Sequence, residues 1–347
     1  MPILQVTVKI KKIKNSKNII QNIYKYIKLY KRSENKTWRY FMKNNSHIRF
    51  GGYSPPETTH SQASLFFKNS ITKENKDFKV DLFWNILDFG YRAEDLLSMV
   101  ESGILTMCYF STSYLTERIK ELGIIDLPFI FQDLKQAHKN LDGNLGKNLS
   151  EKIEMETNFK VLGFWDNGFR HLSNNLHPIQ DPSDCKNIKI RLQPNEIHVQ
   201  TFKALKAKPV PIDLKPGMKK IQLGEVDAQE NPLENTMTYK VDNYHKYITL
   251  TGHFYGARGI FCNKDFFETL DKNKQKKLKI SIRKAIKKQR KLSEKKENKV
   301  EKILKQRGIE IIKLNSIQKN KFKKEVSSVI KKAKNTLGSE IFNLIEN

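Results

Sequence analysis

The chain has 347 residues, of which 38% are hydrophobic and 10% aromatic, and its formal net charge is +27 at pH 7. This apolar content is too high for a disordered chain, and no run approaches the roughly 18 to 20 apolar residues of a membrane span. Because a single core usually stops growing below this length, we expect a globular protein of two lobes, each of roughly 100 to 150 residues.

The excess positive charge lies at the two ends of the chain. Residues 1–46 carry 12 Lys and Arg against one acidic residue, residues 264–347 carry 26 against 10, and residues 47–263 carry 26 of each sign. A nucleic-acid surface is one interpretation, since clustered basic residues bind polyanions by counterion release. The C-terminal lysines keep the apolar spacing of helices, however, and this favours solvated helix faces.

The cysteines and the N-terminus give little information on the cellular compartment. Cys108, Cys185 and Cys262 lie far apart, which favours buried thiols over a disulfide framework or a metal site. Residues 1–46 form a basic extension that we expect to be poorly ordered and that lacks the apolar stretch of a secretory leader. Either the chain stays inside the cell or its start lies elsewhere, and Met42 is a candidate start.

The globular pattern begins at His47 with "IRFGGYSPP", a short strand that runs into a Gly/Pro turn. "TTHSQASLFFKNSITKEN" then predicts a helix with Thr or Ser as N-cap, "FKVDLFWNI" a strand, and "RAEDLLSMVESG" a helix that ends at Gly103. "ILTMCYFS" is apolar and short enough for a buried strand. This alternation indicates an α/β fold with parallel strands covered by helices.

The alternation continues with a helix near 133–157, strands over "FKVLGFWDNG" and "NIKIRL", and a helix over "HVQTFKALKA". Residues 272–307 contain no Gly or Pro, and as one helix they span about 54 Å. Their apolar positions do not keep a strict heptad, so we expect this helix to cross between two lobes. Gly308 ends it, "IEIIKL" predicts one more strand, and two short helices finish the chain.

No catalytic signature is recognisable. "GNLGKNLS" is too short for a phosphate loop and carries Asn148 where a magnesium-binding Ser or Thr is needed. The histidines His171, His177, His245 and His253 bind a metal only if the fold clusters them. We therefore predict no enzyme, no metal and no cofactor. An acid/base role for His171 or His253 on a binding scaffold stays open as an alternative.

Arg191 is the most informative single residue. In "NIKIRLQP" a period of two places Ile190 and Leu192 on one face of the strand, and Lys189 and Arg191 on the other. That pattern is compatible with a half-exposed sheet edge. Arg191 also falls near the C-terminal end of a predicted parallel strand, where open α/β sheets place their ligand crevice. Because a guanidinium matches a carboxylate bidentately, a desolvated arginine there suits an organic anion.

The segment "VDAQENPLENT" gathers polar side chains around Pro232. One interpretation is a loop with an ordinary Asx turn. In another, Asn231 donates an amide hydrogen to an anionic ligand, and Glu230 holds either a helix N-terminus or an arginine.

In this order the segments resemble the substrate-binding subunit of TRAP transporters, tripartite carriers of dicarboxylates, sialic acid and other organic acids. The resemblance covers about 47–310. Its matching segments are "GFRHLSNNLHPIQDPSDCKNIKIRL", "TFKALKAKPVPI", "IQLGEVDAQENPLENT", "YHKYITLTGHFYG" and, more weakly, "RAEDLLSMVESGILTMCYFSTSYL" with "LGIIDLPFIF".

The resemblance implies a periplasmic-binding-protein-like fold, with two α/β lobes around a ligand cleft and one long helix that crosses both. We place lobe I at 47–167 with 256–296 and lobe II at 168–255 with 297–347. Arg191 matches the family's selectivity arginine, which forms the salt bridge to the ligand carboxylate. Arg170 matches a second arginine of the cleft, and Asn231 the asparagine that contacts the same carboxylate.

The resemblance also extends the predicted ligand-binding set to the surroundings of these residues. Tyr53 and Phe110 stand where the sialic-acid branch has small or polar contacts, and Leu214 stands where that branch has an aromatic. This favours a less polyhydroxylated ligand. The full set is Arg191, Arg170, Asn231, Glu230, Asn167, Trp165, Phe110, Tyr53 and Tyr91.

We therefore expect a non-catalytic solute-binding protein that captures a small organic acid anion and closes by a hinge. The resemblance implies a periplasmic location and delivery of the ligand to the small and large membrane subunits of a TRAP permease. The alternative is a nucleic-acid or acidic-surface binding protein that acts through its lysine-rich termini.

Overall fold

The computed structural model describes residues 46–346. The strands are β1 His47–Gly51, β2 Lys79–Phe83, β3 Met107–Ser111, β4 Phe159–Asn174, β5 Lys189–Leu192, β6 Lys208–Pro211, β7 Ala228–Asn231, β8 Tyr247–Asn263 and β9 Glu310–Ile312. The helices are α1 Thr59–Glu74, α2 Asp95–Glu101, α3 Leu134–Asp142, α4 Asn144–Glu156, α5 Glu196–Ala204, α6 Leu214–Gln222, α7 Leu233–Thr238, α8 Lys264–Thr269, α9 Lys272–Gln306, α10 Ser316–Glu325, α11 Ser327–Leu337 and α12 Ser339–Phe342. Short 3-10 helices cover Ile86–Phe89, Thr112–Leu115, Lys120–Ile124, Pro182–Cys185 and Val241–Asn243.

One sheet runs through both lobes. Its strand order is β2-β1-β3-β8-β4-β7-β5-β6, and β9 adds to β8. The outer strands are parallel to one another on each side, β1 with β2 and β3, and β5 with β6 and β7. The central pairs, β3 with β8, β8 with β4 and β4 with β7, are antiparallel. The predicted two-lobed α/β fold is confirmed.

The strands β4 and β8 connect the two lobes. They have 16 and 17 residues and pair antiparallel along their length. The register shifts at three points of β4, between Val161 and Gly163, Asp166 and Gly168, and Arg170 and Leu172. Because such irregularities bend a strand and increase its twist, the sheet changes direction in the middle of β4.

The helix α9 packs against both lobes, as the sequence predicts. Its first half buries Leu278 and Ile282 in the core that contains β1 to β3 and α1. Its last turns bury Val300 and Leu304 in a separate cluster with Ile248 of β8. The lysines between these apolar positions lie mostly on the exposed faces of the helix, which is the predicted solvated surface.

The structure corrects several element predictions. The predicted helix near 133–157 is two helices, α3 and α4, with Gly143 between them. The two helices approach so closely at this break that a Cβ on Gly146 would lie 1.8 Å from the Leu141 carbonyl oxygen. The strand predicted over "FKVLGFWDNG" continues to Asn174. "VDAQENPLENT" is no simple loop, since it contains all of β7 and the start of α7. Three helices follow β9 where two were expected.

Nearly all of the predicted basic extension, 1–46, lies outside the described residues. Within residues 46–346, no helix has both the length and the apolar character needed to span a bilayer. The three cysteines are buried free thiols, as predicted.

Candidate functional site

Arg191 lies in the interior of the sheet. It is the third residue of β5, which lies between the parallel strands β6 and β7, so the sheet-edge interpretation is wrong. Its side chain is buried, with 1% exposure, and Nε and Nη2 donate to the carbonyl of Ile212 at 3.1 and 2.9 Å. Gly217 of α6 makes room, since a Cβ there would lie 2.8 Å from Nε. Within residues 46–346 no carboxylate forms an ion pair with Arg191.

Arg170 forms a buried ion pair with Glu230. Arg170 Nη2 donates to the carboxylate and to the carbonyl oxygen of Glu230, both at 2.7 Å, and Nε donates to the second carboxylate oxygen. The side chains are 2% and 0% exposed. Burial by itself raises the pKa of Glu230, but the Arg170 charge, the nearby His253 side chain and the hydrogen bonds from Arg170 hold that pKa well below its usual range. Of the two partners considered for Glu230, the arginine is therefore the one present. The Nη1 group of Arg170 is buried without a hydrogen-bond partner in residues 46–346.

Asn231 is the last residue of β7, and the two residues before it contact or pair with the two arginines. Its neighbour in sequence, Glu230, binds Arg170, while Gln229 is the register partner of Arg191. Asn231 Nδ2 donates to Gln229 Oε1 at 2.9 Å, and Asn231 Oδ1 accepts from Asn235 Nδ2 at 3.2 Å. The structure thus brings Arg170, Arg191 and Asn231 to one region of lobe II.

Asn167 connects this region to the crossing strand β4. It is 6% exposed, and its Oδ1 accepts from Asn235 Nδ2 at 3.1 Å. The amides of Asn167, Asn235 and Asn231 therefore form one hydrogen-bonded series from β4 to the end of β7.

The predicted aromatic residues belong to the lobe I side. Tyr53 and Phe110 pack with ring centroids 4.9 Å apart, and both are buried. Trp165 is fully buried and lies 5.3 Å from the ring of Tyr109, with its indole N–H unpaired in residues 46–346. Tyr91 is half-buried against the same core and, within residues 46–346, forms no hydrogen bond with Arg170 or Arg191. Their roles in ligand binding stay predictions.

Sequence reasoning missed Arg258 on β8, another fully buried arginine. It is 1% exposed and lies opposite Trp165 of β4 and Ser111 of β3 in the sheet register. Its guanidinium carbon lies 4.8 Å from the ring centroid of Tyr53 and 5.6 Å from that of Tyr109. The available signal was an arginine inside the otherwise nearly uncharged strand "YITLTGHFYGARGIFCN".

Polar contacts join the lobes across the cleft. The carboxylate of Glu234 accepts from Thr59 N at 3.0 Å and from Thr59 Oγ1 at 2.7 Å. Asp213 accepts from the Tyr114 hydroxyl at 3.0 Å and from Ala93 N at 3.3 Å. The second set of bonds lies next to the arginine region, because Asp213 follows Ile212, the carbonyl acceptor of Arg191.

A separate cavity of about 460 Å³ lies on another part of β4 and β8. Its wall includes Phe169 and His171, which flank Arg170 in sequence, together with Gly252 of β8 and Glu297 of α9. Arg170, Arg191 and Arg258 do not line it. It is therefore distinct from the region enclosed between the lobes.

The fold does not gather the histidines into a cluster within residues 46–346. No group of three or more His, Cys, Asp or Glu side chains within residues 46–346 has the geometry to hold a metal ion. Burial lowers the pKa of His171 to about 3 and that of His245 to about 4, and burial also lowers the pKa of His253. Lowered pKa values of this kind give no support to His171 or His253 as an acid/base group.

Comparison with known proteins agrees with this architecture. The sequence profile of the bacterial extracellular solute-binding proteins, family 7 (DctP), matches residues 50–336. The chain is 29% identical over 266 residues to the 2,3-diketo-L-gulonate-binding periplasmic protein YiaO of Escherichia coli, which covers 76% of this chain and 80% of that one.

Two solved structures are also similar. The sugar acid binding protein DctPAm of Advenella mimigardefordensis, in complex with galactonate, superposes with a TM-score of 0.82 at 28% identity, covering 86% of this chain and 96% of that one. A TRAP periplasmic solute-binding protein of Sulfurospirillum deleyianum with bound succinate gives a TM-score of 0.79 at 26% identity, covering 86% and 97%. The chain therefore belongs to family 7 of the bacterial extracellular solute-binding proteins, the substrate-binding subunits of TRAP transporters.

Proposed function

We propose that this protein captures a small organic acid anion between its two lobes and delivers it to a TRAP-type membrane permease. The observation that carries the proposal is Arg191, a buried guanidinium at the end of a parallel strand with no carboxylate partner in residues 46–346. A charge buried in this way costs free energy unless an opposite charge joins it. A ligand carboxylate supplies that charge and matches the planar fork of donors.

Arg170 and Asn231 complete the anion site in this proposal. Glu230 holds the Arg170 side chain in place through two carboxylate contacts, and the unpaired Nη1 of Arg170 is left to donate to the ligand. Asn231 contributes its second amide hydrogen. Glu230 thus acts through Arg170, while Tyr53, Phe110 and Trp165 form the apolar wall on the lobe I side.

The ligand class follows from charge and from the relatives. The related proteins bind galactonate, succinate or 2,3-diketo-L-gulonate according to their names, and all three are organic acids. We propose a periplasmic location and delivery to the small and large permease subunits on the same family basis. We propose no catalytic activity, and the nucleic-acid alternative has no support among the related proteins.

The lobe boundaries remain part of the proposal. Lobe I consists of 47–167 with 256–296, and lobe II of 168–255 with 297–347. The passages between them lie in β4 and β8 and in the middle of α9. Closure around the ligand then bends these three elements, and binding energy drives it.

The test is calorimetry after a thermal-shift screen. The full chain is screened against organic acids that include succinate and galactonate, since a micromolar ligand at millimolar concentration stabilises the protein by about 4 kcal/mol. We expect Arg191→Ala to weaken binding of the best acid by about 100- to 1000-fold, because one partner of a buried charge pair is lost.

The exposed Arg283 of α9 provides the matched control, since Arg283→Gln removes an equal charge far from the cleft and leaves the affinity unchanged. An unaltered affinity in Arg191→Ala contradicts the assignment of the anchor. A panel in which no acid binds contradicts the proposed function.

A further inference from the structure

Arg258 is a buried cation with two enclosed donors that have no partner in residues 46–346. Its side chain is 1% exposed, and neither Nε nor Nη1, both fully enclosed, has a hydrogen-bond partner in residues 46–346. No carboxylate in this range forms an ion pair with it. A native protein rarely leaves a buried arginine in this state, because both the charge and the N–H groups lose their hydration.

Two aromatic rings pack close to the Arg258 guanidinium. The ring of Tyr53 lies 4.8 Å and that of Tyr109 5.6 Å from the guanidinium carbon, within the range of cation–π contacts. Aromatic rings stabilise the charge from above the plane but accept none of the in-plane N–H bonds. The donors at the edge therefore still need oxygen acceptors.

The nearest acidic side chain does not supply these acceptors. Burial lowers the pKa of Arg258, while three tyrosines (Tyr53, Tyr239 and Tyr109) and, to a smaller extent, Glu234 raise it, so Glu234 lies near this arginine. Both carboxylate oxygens of Glu234 already accept hydrogen bonds from Thr59, and they form no ion pair with Arg258. His60 supplies no negative charge either, since burial and the nearby Arg258 charge lower the pKa of its imidazole well below the usual value. Within residues 46–346 the Nε and Nη1 donors of Arg258 therefore have no acceptor.

Arg258 lies close to residues of the proposed anion site. Gly256, two residues earlier on the same strand face, lets the Asn167 side chain approach so closely that an added Cβ would lie 3.0 Å from it. Asn167 begins the amide series that leads through Asn235 to Asn231. Burial raises the pKa of Tyr53, and the charges of Arg258 and Arg170 partly oppose that rise. Tyr53 therefore lies near both arginines.

We propose that Arg258 determines specificity by binding a second acidic group at the far end of the ligand, so that the site selects small diacids over monoacids and aldonic acids. One carboxylate pairs with Arg191 and the other with the edge of Arg258. A carboxylate suits that edge better than a hydroxyl, because it offers two acceptor oxygens in one plane to two parallel N–H groups. The inference rests on the proposed function and narrows its ligand class from small organic acids to small diacids.

The test compares diacids with straight-chain monoacids of equal carbon number by calorimetry: succinate with butyrate, glutarate with pentanoate, and adipate with hexanoate. In the unaltered protein we expect the best-fitting diacid to bind at least about 30-fold more tightly than its monoacid, as one charge-assisted pair provides. In Arg258→Gln this preference falls below about threefold, while the monoacid affinity stays within about threefold of the original.

Two further variants keep the result interpretable. Arg258→Lys retains the charge without the fork and keeps only part of the diacid preference. Arg283→Gln, an exposed arginine change, leaves the preference intact. Melting curves without ligand establish that each variant folds, and Arg258→Met replaces Arg258→Gln if the latter does not.

Three results overturn the inference while leaving the proposed function in place. These are an undiminished diacid preference in Arg258→Gln, an equal loss of diacid and monoacid affinity in that variant, and a protein that binds galactonate but none of the diacids. If no acid of any class binds the unaltered protein, the proposed function itself fails.

Discussion

The ion pair of Arg170 with Glu230 provides a sharp test of how the anion site is held together before any ligand binds. Glu230→Gln removes the negative charge and keeps the size of the side chain. Because the two side chains are 2% and 0% exposed, the change leaves a buried arginine uncompensated. Loss of one partner of such a pair costs about 3 to 5 kcal/mol, a large share of the roughly 5 to 15 kcal/mol by which a protein is usually stable.

The measurement is denaturant unfolding without ligand at pH 7. It compares the unaltered protein, Glu230→Gln and a double variant that combines Arg170→Met and Glu230→Leu. The double variant removes both charges, so we expect it to lose clearly less stability than Glu230→Gln. Glu74→Gln is the matched control: its carboxylate pairs with Lys284 at 2.6 Å on the surface, where both side chains are about half exposed, and we expect no resolvable change. A Glu230→Gln midpoint equal to that of the unaltered protein refutes the reasoning.

The same pair predicts a pH dependence of known sign. The folded-state pKa of Glu230 is depressed, so its contribution to stability is complete above the unfolded pKa of about 4.3 and is lost as the pH falls through the lower folded value. The stability gap between the unaltered protein and Glu230→Gln is therefore constant from about pH 8 to pH 5 and shrinks only below about pH 4. A gap that closes already at pH 6 assigns the effect to another group.

Two more predictions concern the long helix and the lobe contacts. Burial raises the pKa of Glu297 to about 7, so the folded state holds this proton more tightly and stability falls as the pH rises from about 4.3 to about 7. Glu297→Gln is expected to lessen that fall between pH 5 and pH 8, modestly because the side chain stays 36% exposed, and identical pH profiles in unfolding titrations contradict this. Glu234→Ala removes the two carboxylate oxygens that accept hydrogen bonds from Thr59 on the other lobe. Because this contact favours closure, we expect a larger radius of gyration in X-ray scattering without ligand. We also expect an acid affinity about tenfold lower. Scattering curves that superpose argue against Glu234 as a contact that favours closure.

Local patterns predicted the parts of the site that depend on one strand. The period of two in "NIKIRL" and the alternation of strands with helices placed Arg191 at the end of a parallel strand, and the structure confirms that position. The 36 residues without Gly or Pro predicted α9 almost to the residue. Both signals depend only on residues that are neighbours in sequence.

The rest of the site depends on contacts between distant residues. Glu230 had two possible partners in the sequence, and only the antiparallel pairing of β4 with β7 selects Arg170. The register shifts of β4 interrupt the strict alternation of faces, so the side on which Asn167 and Arg170 lie cannot be read from a period of two. Arg258 was missed because a single charged residue in an apolar strand gives no indication of what it faces until β3 and β4 pair on either side of it.

The irregular middle of β4 has a mechanical consequence. Arg170, which grips the anion in the proposed function, is itself a residue of a register shift, and Gly168 beside it has a φ of 99° that other residues rarely adopt. The residue that binds the anion in this proposal and the strand irregularity that can act as a hinge thus lie within a few consecutive residues of β4. A substitution that stiffens this stretch, such as Gly168→Ala, therefore alters the strength of capture even though it removes no contact with the bound acid.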